Sequence, residues 1–321
     1  MARRITRRIG YALTGLVILL IIATLALWRG DVTRAAAEAR YADDSSAFLD
    51  AGATGRIHYR DLGPKNAPVL VLVHGTGASL HTWAPWVARL TPAYRIVTLD
   101  LPAHGLTGAT PSADYSRTGM VAAIHAVVTH LGLELFALGG NSMGGEMSMA
   151  YALAHPDKVR ALILVDTAGY HPPEMQDRDA PLAFRLASVP GLRPVLTKLT
   201  PRWVIADSLS SVVVDQGVVT KALVDRYWTL MRLEGSRAAL MQHFAGLPRP
   251  SLPVEALDMP TLIQWGDSDR LIPLAAGKAL ERAMPNARLI VYEDAGHIPM
   301  KEIPAPTAAD ARAFLDSLPP A

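Results

Sequence analysis

A serine, an aspartate and a histidine able to act together on an acyl bond occur in that order in this 321-residue chain. Ser142 lies in Gly140-Asn141-Ser142-Met143-Gly144-Gly145. A serine hydroxyl is a weak nucleophile at neutral pH and needs a base to take its proton. The run before it, Leu133 to Leu138, is short and mostly apolar, as a buried strand is. After it, Met147, Met149, Ala150, Leu153 and Ala154 suit a helix. A serine between two glycines at a strand-to-helix turn projects its hydroxyl clear of the sheet. The glycines are needed because the turn is strained and brings backbone too close for a Cβ. The helix N-terminus that follows turns free N–H groups toward any developing negative charge.

Acids and histidines for such a serine lie elsewhere. Asp267 and Asp269 follow the apolar run Pro260 to Trp265, and His297 follows Arg288 to Tyr292. Asp100 ends the run Arg95 to Leu99, and Asp166 ends Ala161 to Val165. An Asp at the position of Asp100 more often orders its own loop by accepting nearby N–H groups. His74 reads as a loop-ordering histidine, and His125 and His130 as surface or packing residues.

These residues are spread over strands that alternate with helices. Strands are expected at Arg56–Arg60, Val69–Val73, Arg95–Leu99, Leu133–Leu138, Ala161–Val165, Pro260–Trp265 and Arg288–Tyr292. Helices are expected at Thr118–Leu131, from the elbow to Ala154, at Leu274–Ala283 and at about Thr307–Leu318. This is an α/β class chain with a mostly parallel sheet and helices on both faces. From 171 to 253 the alternation stops; prolines and helical stretches such as Val218–Leu233 read as a helical cap inserted into the sheet domain. The core then comprises 49–170 and 254–321. Ser142, Asp269 and His297 each fall just beyond the C-terminal end of a strand, the edge where open α/β sheets place their sites.

The first 48 residues are different. Arg3, Arg4, Arg7 and Arg8 precede an uncharged stretch from Ile9 to Trp28. At ~1.5 Å per residue, such a stretch is long enough for a bilayer core of ~30 Å. The arginines mark a cytoplasmic side. Residues 1–30 are therefore expected to form a basic stub and an uncleaved membrane anchor through 9–28, with the catalytic domain on the far, extracytoplasmic side. Residues 31–48 read as a helical or flexible spacer. The net charge of +2 implies no nucleic-acid partner. The absence of cysteine excludes a thiol nucleophile, disulfides and cysteine metal sites.

Over about residues 50–318 the sequence resembles the α/β-hydrolase fold family. The resemblance rests on the His74-Gly75 loop, Asp100 to Gly105, the Ser142 hexad, Gly266-Asp267-Ser268-Asp269 and Gly296-His297. It implies Ser142 as nucleophile, His297 as general base and Asp269 as the orienting acid. The family spacing G-x-x-D favours Asp269 over Asp267, and Asp166 would be a substitute acid. The backbone N–H groups of Thr76 and Met143 are expected to form the oxyanion hole. The implied activity is hydrolysis of a carboxylic ester or related acyl bond of a small molecule through an acyl-enzyme, with no cofactor and no metal. The serine excludes the aspartate-dependent dehalogenase and epoxide hydrolase chemistries of the family.

Two alternatives accompany this reading. The hexad is also similar to that of the carbon–carbon hydrolases of aromatic ring-fission pathways. Those enzymes usually carry Gly-His-Trp where this chain has Gly296-His297-Ile298, and a richer glycine and proline loop than Thr76-Gly77-Ala78-Ser79. The other alternative is a binding protein that kept the fold and lost the chemistry.

Overall fold

The computed structural model describes residues 2–170, 197–247 and 249–319. Its centre is an eight-stranded sheet: β1 (Ser46–Asp50), β2 (Arg56–Leu62), β3 (Val69–Val73), β4 (Arg95–Leu99), β5 (Phe136–Asn141), β6 (Val159–Val165), β7 (Thr261–Gly266) and β8 (Ala287–Tyr292). The order across the sheet is β1-β2-β4-β3-β5-β6-β7-β8. β1 and β2 are antiparallel to their neighbours, and every pair from β4 to β8 is parallel. The expected α/β class and α/β-hydrolase sheet are therefore present.

The continuous apolar runs explain the sheet's interior. Leu70, Val71, Leu72 and Val73 are completely buried, as strands covered by helices on both faces must be. One face packs Val71, Val73, Leu138, Leu162 and Leu164 against α4 (Arg117–His130) and α5 (Met143–Ala154). The other packs Leu70, Leu72, Ile96 and Ile163 against Trp83, which precedes α3 (Ala84–Leu90), Trp86 of α3 and Phe314 of the C-terminal helix. α9 (Leu274–Ala283) adds Ala276 and Leu280 to the first face, and α10 (Pro299–Glu302) and α11 (Pro304–Asp316) complete the second.

The parallel register aligns the strand ends. Val73 pairs with Gly140, Asn141 with Val165, Val165 with Gln264, and Gly266 with Tyr292. The loops that follow β3, β5, β6, β7 and β8 thus emerge on one edge.

Between β6 and β7, described residues 197–247 form α6 (Arg202–Ser211), α7 (Lys221–Met231) and α8 (Ser236–Ala245), with no named strand. Residues 171–196 of the expected cap lie outside the described residues.

The N-terminal reading requires correction. Residues Ala2–Leu27 form helix α1, but among the described residues no helix is long and apolar enough to cross a membrane. The expected single-pass anchor through 9–28, its cytoplasmic stub and the extracytoplasmic placement of the domain do not stand. The helix takes in the arginine-bearing turns, where Arg7 Nε bonds the Tyr11 hydroxyl at 2.8 Å. Its other end is held by protein: Arg29 N donates to Lys198 O at 2.8 Å, and Trp28 bridges to Leu199.

Residues 31–48, read as a helical or flexible spacer, contain a helix and are bonded to the domain. Val32 bridges to Leu233, and Asp31 pairs with Arg237 at 2.5 Å and with Lys198 at 2.6 Å. Thr33 then caps α2 (Arg34–Tyr41), whose Ala37 is fully buried. Arg34 reaches the carbonyls of Leu106 and Thr107 at 2.6 and 3.1 Å. The segment ends in β1, which begins before the expected core boundary.

Candidate active site

The turn after β5 places Ser142 at φ 55°, ψ −121°, a left-handed backbone for a side chain with a Cβ. Ser142 N donates to Val165 O at 3.0 Å, and Ser142 O accepts from Gly145 N and Ala168 N. The flanking glycines have steric causes. A Cβ on Gly140 would lie 2.2 Å from the Gly144 carbonyl, and one on Gly144 would lie 2.2 Å from Val73 O. The Gly75 loop packs against Ser142: a Cβ on Gly75 would lie 3.2 Å from the Ser142 Cβ. Thr76 follows directly in this loop, and Met143 is the first residue of α5. Neither backbone N–H has a protein acceptor among the described residues.

Asp269 and His297 meet although 28 residues separate them. The His297 Nδ1–Asp269 Oδ2 distance is 2.7 Å, and both residues are buried. Asp269 Oδ1 accepts from Leu271 N at 2.7 Å and Ile272 N at 3.0 Å. With its acid on Nδ1, the imidazole carries its proton there and leaves Nε2 as an acceptor. His297 N donates to Val212 O at 2.8 Å, so the helical insertion helps hold the histidine loop. Asn141 supplies the link to the serine. Its Nδ2 donates to His297 O at 3.0 Å and to Val165 O at 3.1 Å. The sequence reading quoted Asn141 only as part of the motif; its role shows only when β6 and the histidine loop are brought to it.

The other candidates fall where their chemistry differs. Asp267 bonds the Ser268 hydroxyl in an exposed turn. His74 donates from Nδ1 to Gly75 O and accepts from Leu101 N at Nε2, so it is a neutral, loop-ordering residue. Burial holds its pKa below the usual histidine value. Asp100 accepts from Leu80 N, Leu106 N and His58 Nδ1. Against a burial that would raise its pKa, the neighbouring histidines hold its carboxyl well below the usual range.

Asp100 belongs to a second serine–histidine–aspartate line that sequence reading did not anticipate. His58 Nδ1 lies 2.7 Å from Asp100 Oδ2, and His58 Nε2 lies 2.9 Å from Ser46 Oγ. Here the serine sits on β1, its Oγ also accepts from Asp43 N at 3.2 Å, and the histidine is fully buried. The line joins β1, β2 and β4 and has no strained serine beside free amides.

Asp166, Asp269 and His297 each offer a ligand atom within 4.8 Å of the others. In this group His297 Nδ1 and Asp269 Oδ2 already bond each other at 2.7 Å. Two cations, Lys301 and Arg226, have no acid partner among the described residues. Lys301 follows His297 on α10; burial and the Arg226 guanidinium push its ammonium down to about 8. Arg226 is on α7, and its Nε is buried without a partner. The next residue, Tyr227, places its hydroxyl 3.4 Å from Thr82 Oγ1, beyond the Gly75 loop.

The alpha/beta hydrolase fold family model matches residues 68–304, and this chain belongs to that family. Lipase 3 of Moraxella sp. is 27% identical over 264 residues, covering 78% of this chain and 78% of the lipase. A Pseudomonas putida 2-hydroxy-6-oxononadienedioate/2-hydroxy-6-oxononatrienedioate hydrolase is 30% identical over 252 residues, covering 75% of this chain and 85% of that hydrolase. Among solved structures, a membrane phospholipase A described as a bacterial virulence factor is 26% identical with a TM-score of 0.72, and 99% of each chain is covered. The chain is thus an enzyme, a hydrolase, rather than a silent binding protein on the same scaffold.

Proposed function

We propose that this hydrolase cleaves carboxylic esters or related acyl bonds of small molecules by serine-based acyl transfer. The observation that carries the reading is the buried 2.7 Å His297–Asp269 pair, tied by Asn141 to a serine held in a strained turn. Ser142 Oγ attacks the substrate carbonyl carbon while His297 Nε2 takes its proton. The Thr76 and Met143 N–H groups receive the oxyanion. His297 then protonates the departing alcohol oxygen, and a water activated by the same imidazole releases the acid. Asp269 keeps the imidazole in the tautomer needed for both transfers. Residues 171–253 act as a cap over this edge, with 49–170 and 254–321 as the catalytic core. The name of the Moraxella relative supports an ester substrate.

A test is hydrolysis of p-nitrophenyl esters from acetate upward by the full chain and by Ser142→Ala. Turnover by the wild type that disappears in the variant supports the reading. Turnover that persists in the variant, or no turnover of any ester by folded wild type, refutes it.

One observation favours carbon–carbon hydrolysis as a second reading. Arg226 and Lys301 carry no acid partner among the described residues, and the P. putida relative is named for a dicarboxylate. Cleavage of a ring-fission dicarboxylate in preference to every neutral ester would select this second reading.

A further inference from the structure

Asp166 follows β6 directly at φ 42°, a left-handed backbone that is strained for a non-glycine residue. Its side chain is completely buried. Oδ1 accepts from Gly266 N at 3.0 Å, while Oδ2 is buried with no hydrogen-bond partner. The acid that shares its space is Asp269.

The two carboxyls differ in the donors they receive. Asp269 takes Leu271 N, Ile272 N and His297 Nδ1, as an ionised group requires. Asp166 takes one N–H, and its second oxygen faces another carboxylate. Two adjacent buried carboxylates do not both stay ionised, so one keeps a proton. That proton belongs on the carboxyl with the fewer donors and the oxygen in need of a partner. The other charged and titratable groups facing Asp166 agree. Glu302 has its own donors in Gly296 N, Val214 N and Asp215 N, and Tyr292 bonds Gln264 and Asp310. Among the described residues no cation offsets a charge on Asp166, whose pKa is driven well above the carboxylate range by burial first and by Asp269 second.

We propose that Asp166 is a neutral carboxylic acid whose Oδ2–H donates to the Asp269 carboxylate, making it a positioning residue for the acid of the triad. The proposal rests on the serine-hydrolase reading above. The extra donor fixes the Asp269 carboxylate against rotation and draws charge from it. His297 then faces a weakened anion and releases its proton more readily. With Asp166 neutral, the pair carries one negative charge rather than two.

The experiment is the pH profile of kcat/KM on p-nitrophenyl butyrate for the full chain, Asp166→Asn, Asp166→Ala and Ser142→Ala, with infrared spectra of wild type and Asp166→Asn. An asparagine reproduces a neutral acid: its Oδ1 accepts from Gly266 N and its Nδ2 donates to Asp269. Asp166→Asn is therefore expected within about twofold of wild type, with the same acid limb. Asp166→Ala loses the donor, so the acid limb moves to higher pH and kcat falls more than KM changes. The wild type shows a protonated-carboxyl carbonyl band at neutral pH that is absent from Asp166→Asn. An acid limb that moves to lower pH in Asp166→Asn, or the lack of that band, overturns the proposal, because either means a charged Asp166. The spectrum and the asparagine variant decide the matter even where the alanine variant does not fold. Activity surviving in Ser142→Ala refutes the serine-hydrolase reading itself. Loss of activity there, with a displaced Asp166→Asn profile, refutes only the role given to Asp166.

Discussion

Replacing Asn141 with alanine tests how the histidine is coupled to the serine. The side chain is buried, and its Nδ2 donates to two carbonyls, Val165 O on β6 and His297 O in the loop after β8. Each bond is worth roughly 0.5–1.5 kcal/mol net, so the pair contributes about 1–3 kcal/mol. Val165 O keeps the Ser142 N–H as a donor while His297 O loses this one in a dry setting, which argues for the middle of that range, about 2 kcal/mol. At about 1.5 °C per kcal/mol for a chain of 321 residues, Tm should fall by roughly 3 °C. The catalytic effect is separate. His297 O is the point at which the histidine loop meets the serine strand, and a displacement of ~1 Å can cost on the order of 100-fold in rate. The assays are thermal unfolding and kcat/KM on a p-nitrophenyl ester. Asn141→Ala should lose both stability and kcat, with KM little changed. A variant that loses stability but keeps kcat would refute the claim that this bond positions His297, and so would a full-rate variant of unchanged Tm.

Other outcomes follow from the same geometry. Asp269→Asn should bind substrate normally and lose on the order of 10^4-fold in kcat, because an amide no longer holds the Nδ1-protonated tautomer; steady-state kinetics on purified protein checks this. Gly144→Ala should fail to fold or lose several kcal/mol, since its Cβ would stand 2.2 Å from Val73 O in the sheet's centre; soluble yield and denaturant midpoint report it. Burial pushes His81 and His243 down to about 4, with Arg60 and Arg226 acting on the first and Arg249 on the second. Both are neutral in the fold and titrate near ~6.5 when unfolded, so their contribution is complete above that value and is lost as pH falls toward 4. Denaturant unfolding from pH 7 to 4 should show that decline, and His81→Asn should flatten it. Should the second reading hold, KM for an anionic substrate rises above pH 8 as Lys301 loses its charge, and Lys301→Met removes that rise.

The sequence was most informative where a local pattern and its structural cause coincide. Apolar runs such as Val69–Val73 and Arg95–Leu99 form strands at those residues, because burial on both faces leaves no polar position to blur the ends. The strand before the serine was displaced: Gly132, at φ 62°, turns the chain, and β5 runs from Phe136 through Gly139 to Asn141. Glycine is accepted in that strand because Leu72 and Ile163 close over it; a Cβ at 139 would meet Leu72 at 3.0 Å. β1 had no apolar signature to read. Its Phe48 is half-buried, stacked on His58 and covered by the Arg56 guanidinium. The state of Asp166 was hidden because it is set by Asp269, over a hundred residues later. The membrane expectation drew on the uncharged stretch and its flanking arginines, whereas the structure binds the end of α1 and the residues after it to the helical insertion.

That binding has a consequence for where this protein can be cut. The recognisable family segment spans 68–304, yet it omits β2, whose Tyr59–Leu62 pair with Ile96–Leu99 of β4. It also omits Thr307, which accepts from Trp86 Nε1 and whose carbonyl accepts from Gln264 Nε2. Trimming to the family segment would uncover the edge of β4 and leave polar groups of Trp86 and Gln264 orphaned inside the core. Removing only the first 45 residues would spare the sheet but take away Asp31 and Val32, which stitch α7 and α8 to the N-terminal chain. The segment that the family model matches is thus smaller than the unit that folds.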